Sequence, residues 1–157
     1  MTKIELMSFQ ETLEIPYSWS VGYLGSKFLA AIRDEGKFYG HKCPSCGNIY
    51  IPPRVVCGPC FVQPDQWVEL ENTGTLMAYS IVNYPFIDPN TGERRPVPYT
   101  YGYIKLDGGA TSKLGHFINE VDPAKLSPGQ KVQAVFRDKD ERIGSLQHDV
   151  LHFKVIG

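Results

Sequence analysis

The second half of the chain alternates apolar and polar positions with a period of two, the pattern of β-strands whose two faces differ. A short strand is predicted at Trp67, Val68 and Leu70, and a longer one at 75–83. The two faces of the longer strand carry Leu76, Ala78 and Val82 on one side and Met77, Tyr79 and Ile81 on the other. Strands are also predicted at 99–106 and 112–118, on either side of the turn Asp107-Gly108-Gly109.

Two further strands follow a predicted helical turn at 122–126 and a loop at 127–129. The inner face of the first carries Val132, Ala134 and Phe136, and that of the second carries Leu151, Phe153 and Val155. If the short strand at Trp67–Leu70 is counted as a lead-in, five strands remain, with a short helical turn between the third and the fourth, which is typical of an OB-type Greek-key barrel. An SH3-like barrel or a small sandwich fits the same pattern. The expected fold class is mainly β with a small α component.

Helical periodicity is confined to the N-terminal part of the chain. Residues 1–25 show no continuous pattern, whereas 26–36 predict a helix. Ser26 is a suitable N-cap and Gly36 a suitable residue just beyond the C-terminal end. One face of this helix carries Phe28, Leu29 and Ile32.

All four cysteines of the chain fall in one window with the spacing C-x2-C-x10-C-x2-C, namely Cys43, Cys46, Cys57 and Cys60. Two thiolates separated by two residues on a tight turn bind one metal ion. Turn-forming residues lie in and beside both pairs, namely Pro44, Gly47, Gly58 and Pro59. The spacing therefore predicts a rubredoxin-like zinc ribbon, with iron as the alternative metal. Because four thiolates leave no open coordination position, the predicted role of the metal is structural.

Two other uses of the cysteines compete with a metal site. Two disulfides fit poorly, because the cytosol keeps thiols reduced. A redox-active pair would need only one C-x2-C motif, and no thioredoxin-like βαβ pattern surrounds either pair.

The charges of the chain are nearly balanced, with 16 Lys and Arg against 17 Asp and Glu and a formal net charge of −1. This balance excludes a strongly basic nucleic-acid arm and a long acidic tail. The sequence has no apolar run long enough for a membrane span, and residues 1–10 lack the apolar core of a signal peptide. We therefore expect a soluble, cytoplasmic protein.

No residue of the chain is predicted to be catalytic. With every cysteine assigned to the metal, none is left as the nucleophile of a thiolase. No G-x-S-x-G, H-E-x-x-H or P-loop motif is present. His41 is near enough to Cys43 in sequence to hydrogen-bond a thiolate. The remaining histidines are expected to be surface or strand residues, namely His116, His148 and His152.

Single-stranded nucleic-acid binding is an alternative function, because zinc ribbons and OB-folds both occur in such proteins. Four tyrosines on predicted strands offer surfaces on which bases stack, namely Tyr79, Tyr99, Tyr101 and Tyr103. However, residues 74–157 carry ten Lys and Arg against nine Asp and Glu, a balance that does not favour an electrostatic groove. Packing in or over the barrel, or in a protein interface, explains these tyrosines better.

The order of these parts resembles a family that was long known as a domain of unknown function. Its members have an N-terminal helix, a rubredoxin-like zinc ribbon and an OB-fold. The resemblance covers residues 24–157 and is most specific in the ribbon with its Pro-Pro-Arg segment, at Phe38–Gly40, Cys43–Gly47, Ile51–Arg54 and Cys57–Cys60. The remaining matching segments are Trp67–Leu70, Thr73–Thr75, Pro98-Tyr99, Tyr103–Asp107, Asp122-Pro123 and Pro128–Val132.

This resemblance implies a non-catalytic accessory subunit that forms a hetero-oligomer with an acyl-CoA enzyme. Partners in the family are thiolases, thiolase-like lyases of steroid side chains and some hydratases. Small subunits of thiolases that cleave an aromatic acyl-CoA in anaerobic toluene breakdown look like a close fit. The expected function is support of the thiolytic cleavage of a 3-oxoacyl-CoA by the partner. An acyl-CoA hydratase or aldolase is the alternative partner.

The resemblance also implies that the helix and the ribbon lie near the CoA channel of the partner, with the OB-fold docked on the partner. On this basis Phe28, Ile32, Phe38 and Arg54 are expected to wall a CoA or acyl-CoA site shared with the partner. The expected divisions of the chain are an N-terminal extension and helix at 1–37, the zinc ribbon at 38–65 and the OB-fold at 66–157.

Overall fold

A computed structural model describes residues 20–87 and 92–156 of the chain. The N-terminal half of this part contains α1 (Gly22–Glu35), β1 (Phe38–Lys42), β2 (Ile49–Tyr50), β3 (Gln66–Leu70) and β4 (Thr73–Val82). The C-terminal half contains β5 (Tyr99–Leu106), β6 (Leu114–Ile118), β7 (Lys131–Phe136), α2 (Leu146–Asp149) and β8 (Val150–Val155). Short 3₁₀ turns lie at Pro123–Lys125 and Lys139–Glu141.

Helix α1 begins at Gly22, one turn before the predicted start at Ser26. Glycine weakens a helix by only about 1 kcal/mol, so it does not by itself prevent the extra turn. The hydroxyl oxygen of Ser20 accepts the N–H of Gly22 at 3.1 Å, whereas Ser26, the predicted N-cap, lies inside the helix. The predicted end is confirmed. Gly36 has φ +66° and donates its N–H to the carbonyl of Ile32 at 3.1 Å.

Strands β1, β2 and β3 form a small antiparallel sheet in the order β2-β1-β3. Strand β3 is the short strand that the sequence predicted at Trp67–Leu70. It pairs with β1 along its whole length, from Phe38 opposite Leu70 to Lys42 opposite Gln66. The strand that follows the cysteines thus completes the sheet of the ribbon.

The remaining strands form a closed barrel in the order β4-β5-β6-β8-β7. Closure comes from the antiparallel pairing of β7 with β4, where Gly74 lies opposite Val132. The predicted helical turn is the 3₁₀ turn between β6 and β7, and Asp122 caps it by accepting the N–H of Ala124 at 2.9 Å. The structure confirms the mainly β fold with a zinc ribbon and a C-terminal OB-fold.

Two strand faces differ from the prediction, and a β-bulge explains each. In β4 the register shifts between Leu76 and Ala78, so Ala78 is exposed while Tyr79 and Ile81 pack against the core. In β8 the register shifts opposite the end of β7, so Val150 is buried and Leu151 faces outward. An extra residue in one strand of a pair reverses the alternation beyond it.

One apolar core joins the helix, the ribbon sheet and the barrel. Phe28 and Ile32 of α1 and Phe38 of β1 belong to the same buried cluster as the barrel residues. The ring of Phe38 stacks on that of Phe153 at 6.2 Å and lies 5.3 Å from that of Phe136. Because the ribbon shares this core, its position on the barrel is fixed by packing.

An arginine from the barrel holds the C-terminal end of α1. The Arg142 guanidinium lies 3.5 Å from the carbonyl oxygens of Ile32 and Arg33. It also lies over the ring of Phe136 at 5.5 Å. A positive side chain at this end complements the helix dipole. A Cβ at position 36 would lie 2.8 Å from Arg142, so Gly36 also makes room for this contact.

Candidate metal centre and adjoining groove

The first pair of cysteines lies on a tight turn between β1 and β2. The N–H of Cys43 donates to the carbonyl of Asn48 at 2.8 Å, and the N–H of Gly47 donates to the carbonyl of Cys43 at 3.0 Å. Gly47 has φ +74°, a conformation that glycine adopts without steric cost. We call this turn the first knuckle, residues 43–48.

The second pair lies on a turn with the same hydrogen bonds, the second knuckle, residues 57–62. The N–H of Cys57 donates to the carbonyl of Val62 at 2.9 Å, and the N–H of Phe61 donates to the carbonyl of Cys57 at 2.8 Å. Phe61 takes the place that Gly47 holds in the first knuckle, and it has φ +55°. No role is predicted for Phe61 from the sequence.

The two knuckles bring the four predicted ligands together. Their Sγ atoms all lie within 4.8 Å of one another, and those of Cys46 and Cys57 are 3.6 Å apart. A tetrahedral zinc ion with bonds of about 2.3 Å keeps its sulfur ligands about 3.8 Å apart. Cys43 and Cys57 are buried, whereas Cys46 is exposed. The donor set and its spacing fit a structural zinc ion bound by four thiolates.

A tyrosine hydroxyl contacts one of these sulfurs. The hydroxyl of Tyr50 lies 3.2 Å from Sγ of Cys57. This hydrogen bond is the main reason that the pKa of the Cys57 thiol is lowered, to about 7. A thiol with a lowered pKa is readily deprotonated, as a zinc ligand must be.

His41 does not take the role that the sequence suggested. Its Nδ1 atom lies 3.3 Å from the carbonyl oxygen of Arg54, and its ring stacks on that of Trp67 at 4.8 Å. The side chain is buried. His41 therefore connects the loop before the second knuckle with β3. The side-chain hydroxyl that contacts Cys57 is that of Tyr50.

A groove of 890 Å³ lies between the first turns of α1 and the ribbon. Its lining is mostly apolar and includes Leu24, Phe28, Pro52, Val55 and Trp67. Lys27 and Asp65 are its charged residues. The ammonium group of Lys27 lies 4.7 Å from the centre of the Trp67 ring, a cation–π contact.

The four residues expected to contact CoA lie in different environments. Ile32 and Phe38 are 0% exposed, so their side chains present no atom to a ligand and belong to the core. Phe28 is also buried, but it forms part of the floor of the groove. Arg54 is exposed, with its guanidinium 5.4 Å over the ring of Tyr50. Since three of the four residues are buried and only Arg54 is exposed, they do not form one surface patch.

Two buried polar residues of the barrel were not identified as important from the sequence. His116 is fully buried, with Nε2 3.3 Å from the carbonyl oxygen of Leu146. The carboxylate of Asp149 is buried as well and accepts N–H groups of the preceding loop, including those of Ile143 and Gly144. Neither residue has a sequence signal of its own, because both become buried only through strand pairing and loop folding.

The tyrosines of β5 form part of an aromatic surface on the barrel. Tyr101 meets Tyr103 and Phe117 edge to face, at 6.3 and 5.4 Å. Arg95 lies over the ring of Phe117 at 4.5 Å. Tyr79 instead donates its hydroxyl hydrogen to the carbonyl of Leu126 at 2.9 Å. These contacts show that the rings pack on one another and on the barrel.

In the described part of the chain, no helix is long and apolar enough to span a membrane.

Models of two protein families match the chain. The model described as ChsH2, rubredoxin-like zinc ribbon domain matches residues 30–65. The model described as ChsH2, C-terminal OB-fold domain matches residues 67–137.

Two similar proteins are described as DUF35 domain-containing scaffold proteins. The one from Methanothermobacter thermautotrophicus is 30% identical over 100 residues, which cover 62% of this chain and 70% of the relative. The one from Methanocaldococcus jannaschii is 29% identical over 107 residues, 68% of this chain and 72% of the relative.

Two solved structures have a similar fold. The structure described as "Ltp2-ChsH2(DUF35) aldolase" matches with a TM-score of 0.63 and 19% identity, over 88% of this chain and 98% of that chain. A DUF35-family protein of unknown function from Sulfolobus solfataricus matches with a TM-score of 0.59 and 22% identity, over 86% of this chain and 87% of that one.

Proposed function

The chain belongs to the DUF35 family of zinc-ribbon and OB-fold proteins, and on this basis we propose that it is a non-catalytic accessory subunit of an acyl-CoA enzyme complex. The proposed partner is a thiolase that cleaves a 3-oxoacyl-CoA by thiolysis. The partner supplies the nucleophile and the base, while this chain stabilises the assembly and completes the channel for CoA and substrate.

The observation that carries this proposal is the use of the cysteines. The chain has four, and all four lie in one cluster whose sulfur atoms are within 4.8 Å of one another. A thiolase needs a free cysteine as nucleophile, with a histidine base beside it. A zinc ion held by four thiolates has no open position at which to activate a substrate. The chemistry is therefore assigned to another chain.

The contribution to the CoA channel is proposed for the surface around the groove. Arg54 is exposed and provides a cation for a phosphate group, and the apolar groove beside it offers a surface for a pantetheine arm. Phe28 supports the groove from its floor. Ile32 and Phe38 act only by holding the helix and β1 in place, since both are fully buried.

An aldolase is a second candidate for the partner. The name of one structural neighbour, Ltp2-ChsH2(DUF35) aldolase, joins a DUF35 protein to an aldolase. The surface of this chain favours neither chemistry, because thiolysis and aldol cleavage would both take place on the partner. A nucleic-acid ligand is less well supported, because the aromatic residues of β5 and β6 pack on one another and the barrel half of the chain has balanced charges.

The test begins with native purification of the tagged chain from its source and identification of the co-purifying protein by mass spectrometry. The reconstituted pair is then assayed for cleavage of 3-oxoacyl-CoA esters with free CoA, beside each chain alone. We expect a thiolase-type partner and no turnover by this chain. A partner from another enzyme class, or turnover by the isolated chain, would overturn the proposal. An aldolase in the pull-down would favour the second candidate.

The CoA contact is tested with Arg54→Ala in the reconstituted complex, with Arg94→Ala as the matched control. Both arginines are exposed, but Arg94 lies on the barrel side, in the chain between β4 and β5. We expect Arg54→Ala to raise the KM for the CoA ester about 10-fold, the loss of one charge-assisted hydrogen bond. An unchanged KM would remove Arg54 from the CoA site.

A further inference from the structure

The two knuckles of the metal centre share one backbone conformation but differ in one side chain. In each, the residue directly after the second cysteine donates its N–H to the carbonyl of the first cysteine, at 3.0 Å from Gly47 and 2.8 Å from Phe61. Both residues have positive φ, +74° and +55°. The first knuckle shows that glycine is sufficient for this backbone.

Folding does not explain a phenylalanine at this position. A residue with a Cβ pays about 1–2 kcal/mol to adopt the left-handed conformation, a cost that glycine avoids. The side chain of Phe61 recovers little of this by burial, because the residue remains 84% exposed. The second knuckle thus holds a phenyl ring in solvent at a conformational cost.

The segment of sequence around Phe61 is mostly apolar, carries no charge and has a fixed backbone. Val55, Val56 and Val62 in this segment are exposed, and no charged residue occurs between Arg54 and Asp65. The backbone is fixed by the knuckle hydrogen bonds and by the two cysteine ligands of this turn. An aromatic side chain presented on a fixed backbone loses little entropy on binding.

We infer that Phe61 is an anchor that inserts into an uncharged, apolar pocket on a partner protein. The pocket must be uncharged, because a charged group buried against residues 55–64 would be desolvated without a counterion from them. Arg54 and Asp65, which flank the segment, stay at the rim. Only the identity of the partner as an acyl-CoA enzyme rests on the function proposed above.

The charges near the second knuckle favour a protein partner over a lipid surface. Proteins that bind membranes through an exposed apolar tip add several lysines or arginines that contact anionic lipids. Within residues 54–65 there is one cation, Arg54, and it is balanced by Asp65. A protein pocket with a neutral floor matches this surface without further charges.

The first experiment replaces Phe61 with the photo-cross-linker benzoylphenylalanine in the chain produced in its source cell. We expect irradiation to link it to another protein, at a peptide that lines an uncharged apolar pocket. Cross-links only to lipid, only to a second copy of the chain, or to nothing would overturn the inference. If the captured protein is not an acyl-CoA enzyme, the anchor stands and the function proposed above fails.

The second experiment measures the Kd of the captured protein, once purified, for the wild-type chain, Phe61→Gly and the control Tyr84→Ala. Tyr84 is also an exposed aromatic residue, 69% exposed, but it lies on the barrel. We expect Phe61→Gly to raise the Kd about 30-fold, as loss of a hot-spot residue does, and Tyr84→Ala to leave it within about threefold.

The melting temperature separates an anchor from a structural residue. Glycine suits the φ of position 61, so Phe61→Gly should leave the melting temperature unchanged or raise it. A chain that melts earlier and binds normally would show a structural role and overturn the inference. Equal losses of affinity in Phe61→Gly and Tyr84→Ala would also overturn the inference, because the effect would then not be specific to the second knuckle.

Discussion

Acid should weaken the barrel, because His116 is held in it as a neutral imidazole. The residue is 0% exposed, and its ring lies 5.9 Å from that of Phe153 and 5.7 Å from that of Phe117. Within the part of the chain that the structure describes, Nδ1 has no hydrogen-bond partner. Burial lowers the pKa of His116, and the hydrogen bond from Nε2 to the Leu146 carbonyl opposes this only in part.

The sign of the effect follows from proton uptake in the unfolded chain. An exposed imidazole binds a proton near pH 6.5, whereas the buried one does so only at lower pH. The free energy of unfolding therefore has its full value above about pH 6.5 and decreases as the pH falls below that value, because the unfolded chain then binds a proton that the folded chain does not. If the folded ring stays neutral, the loss between pH 7.5 and 5.5 is about 1.4 kcal/mol. The pKa of His152 is also lowered, by burial and by Lys154, so it acts in the same direction.

The assay is urea unfolding at the two pH values, followed by circular dichroism, for the wild-type chain and His116→Gln. Glutamine keeps a donor for the Leu146 carbonyl but does not titrate. Both proteins have the same cysteine cluster, so acid-induced loss of metal cancels in the comparison. The wild type should lose about 1.4 kcal/mol more than the variant. If His116→Gln loses as much stability as the wild type, the imidazole is not the source of the pH dependence.

Three further predictions concern packing, a buried carboxylate and the metal. Gly40→Ala should destabilise the ribbon by about 1–3 kcal/mol in thermal unfolding, because its methyl group would clash with Ile49. Gly58→Ala, whose Cβ would meet open space, should cost less than about 0.5 kcal/mol, and equal effects would contradict this packing. Asp149→Asn should lower the free energy of unfolding in urea by about 1–3 kcal/mol, since the amide cannot accept all the N–H groups of 143–145, and an unchanged value would refute this role. A chelator should release one zinc ion per chain and speed hydrogen exchange in both knuckles, whereas unchanged exchange without the metal would show that the knuckles fold without it.

The features that the sequence predicted best are those set by local spacing. In each C-x2-C pair the cysteines and their turn residues lie within a few positions of one another. The ribbon can therefore be predicted without knowledge of the rest of the fold. The end of α1 at Gly36 is local in the same sense, since it depends on one residue with positive φ. The strands of the barrel were predicted from their alternation, which each strand carries in its own sequence.

The errors concern features that depend on partners far away in the sequence. The bulges beside Met77 and Leu151 reverse the faces of β4 and β8, and each exists only in the pairing with another strand. Ile32 and Phe38 were assigned to a ligand site because of the family resemblance and because they are apolar and near the ribbon. The same residue types build the core, and only the packing of α1 and β1 on the barrel decides between the two roles. Phe61 did have a local signal, namely the contrast with Gly47.

The shared core fixes the position of the small zinc ribbon on the barrel. Phe38 in the ribbon sheet stacks on Phe153 in the barrel, and Arg142 fixes the end of α1, so neither the helix nor the ribbon moves freely on the barrel. The four cysteines of the metal centre hold the two knuckles together without a large apolar core of their own. The apolar residues of the second knuckle are therefore not needed in a core and remain exposed. Exposed apolar residues are available to bind a partner.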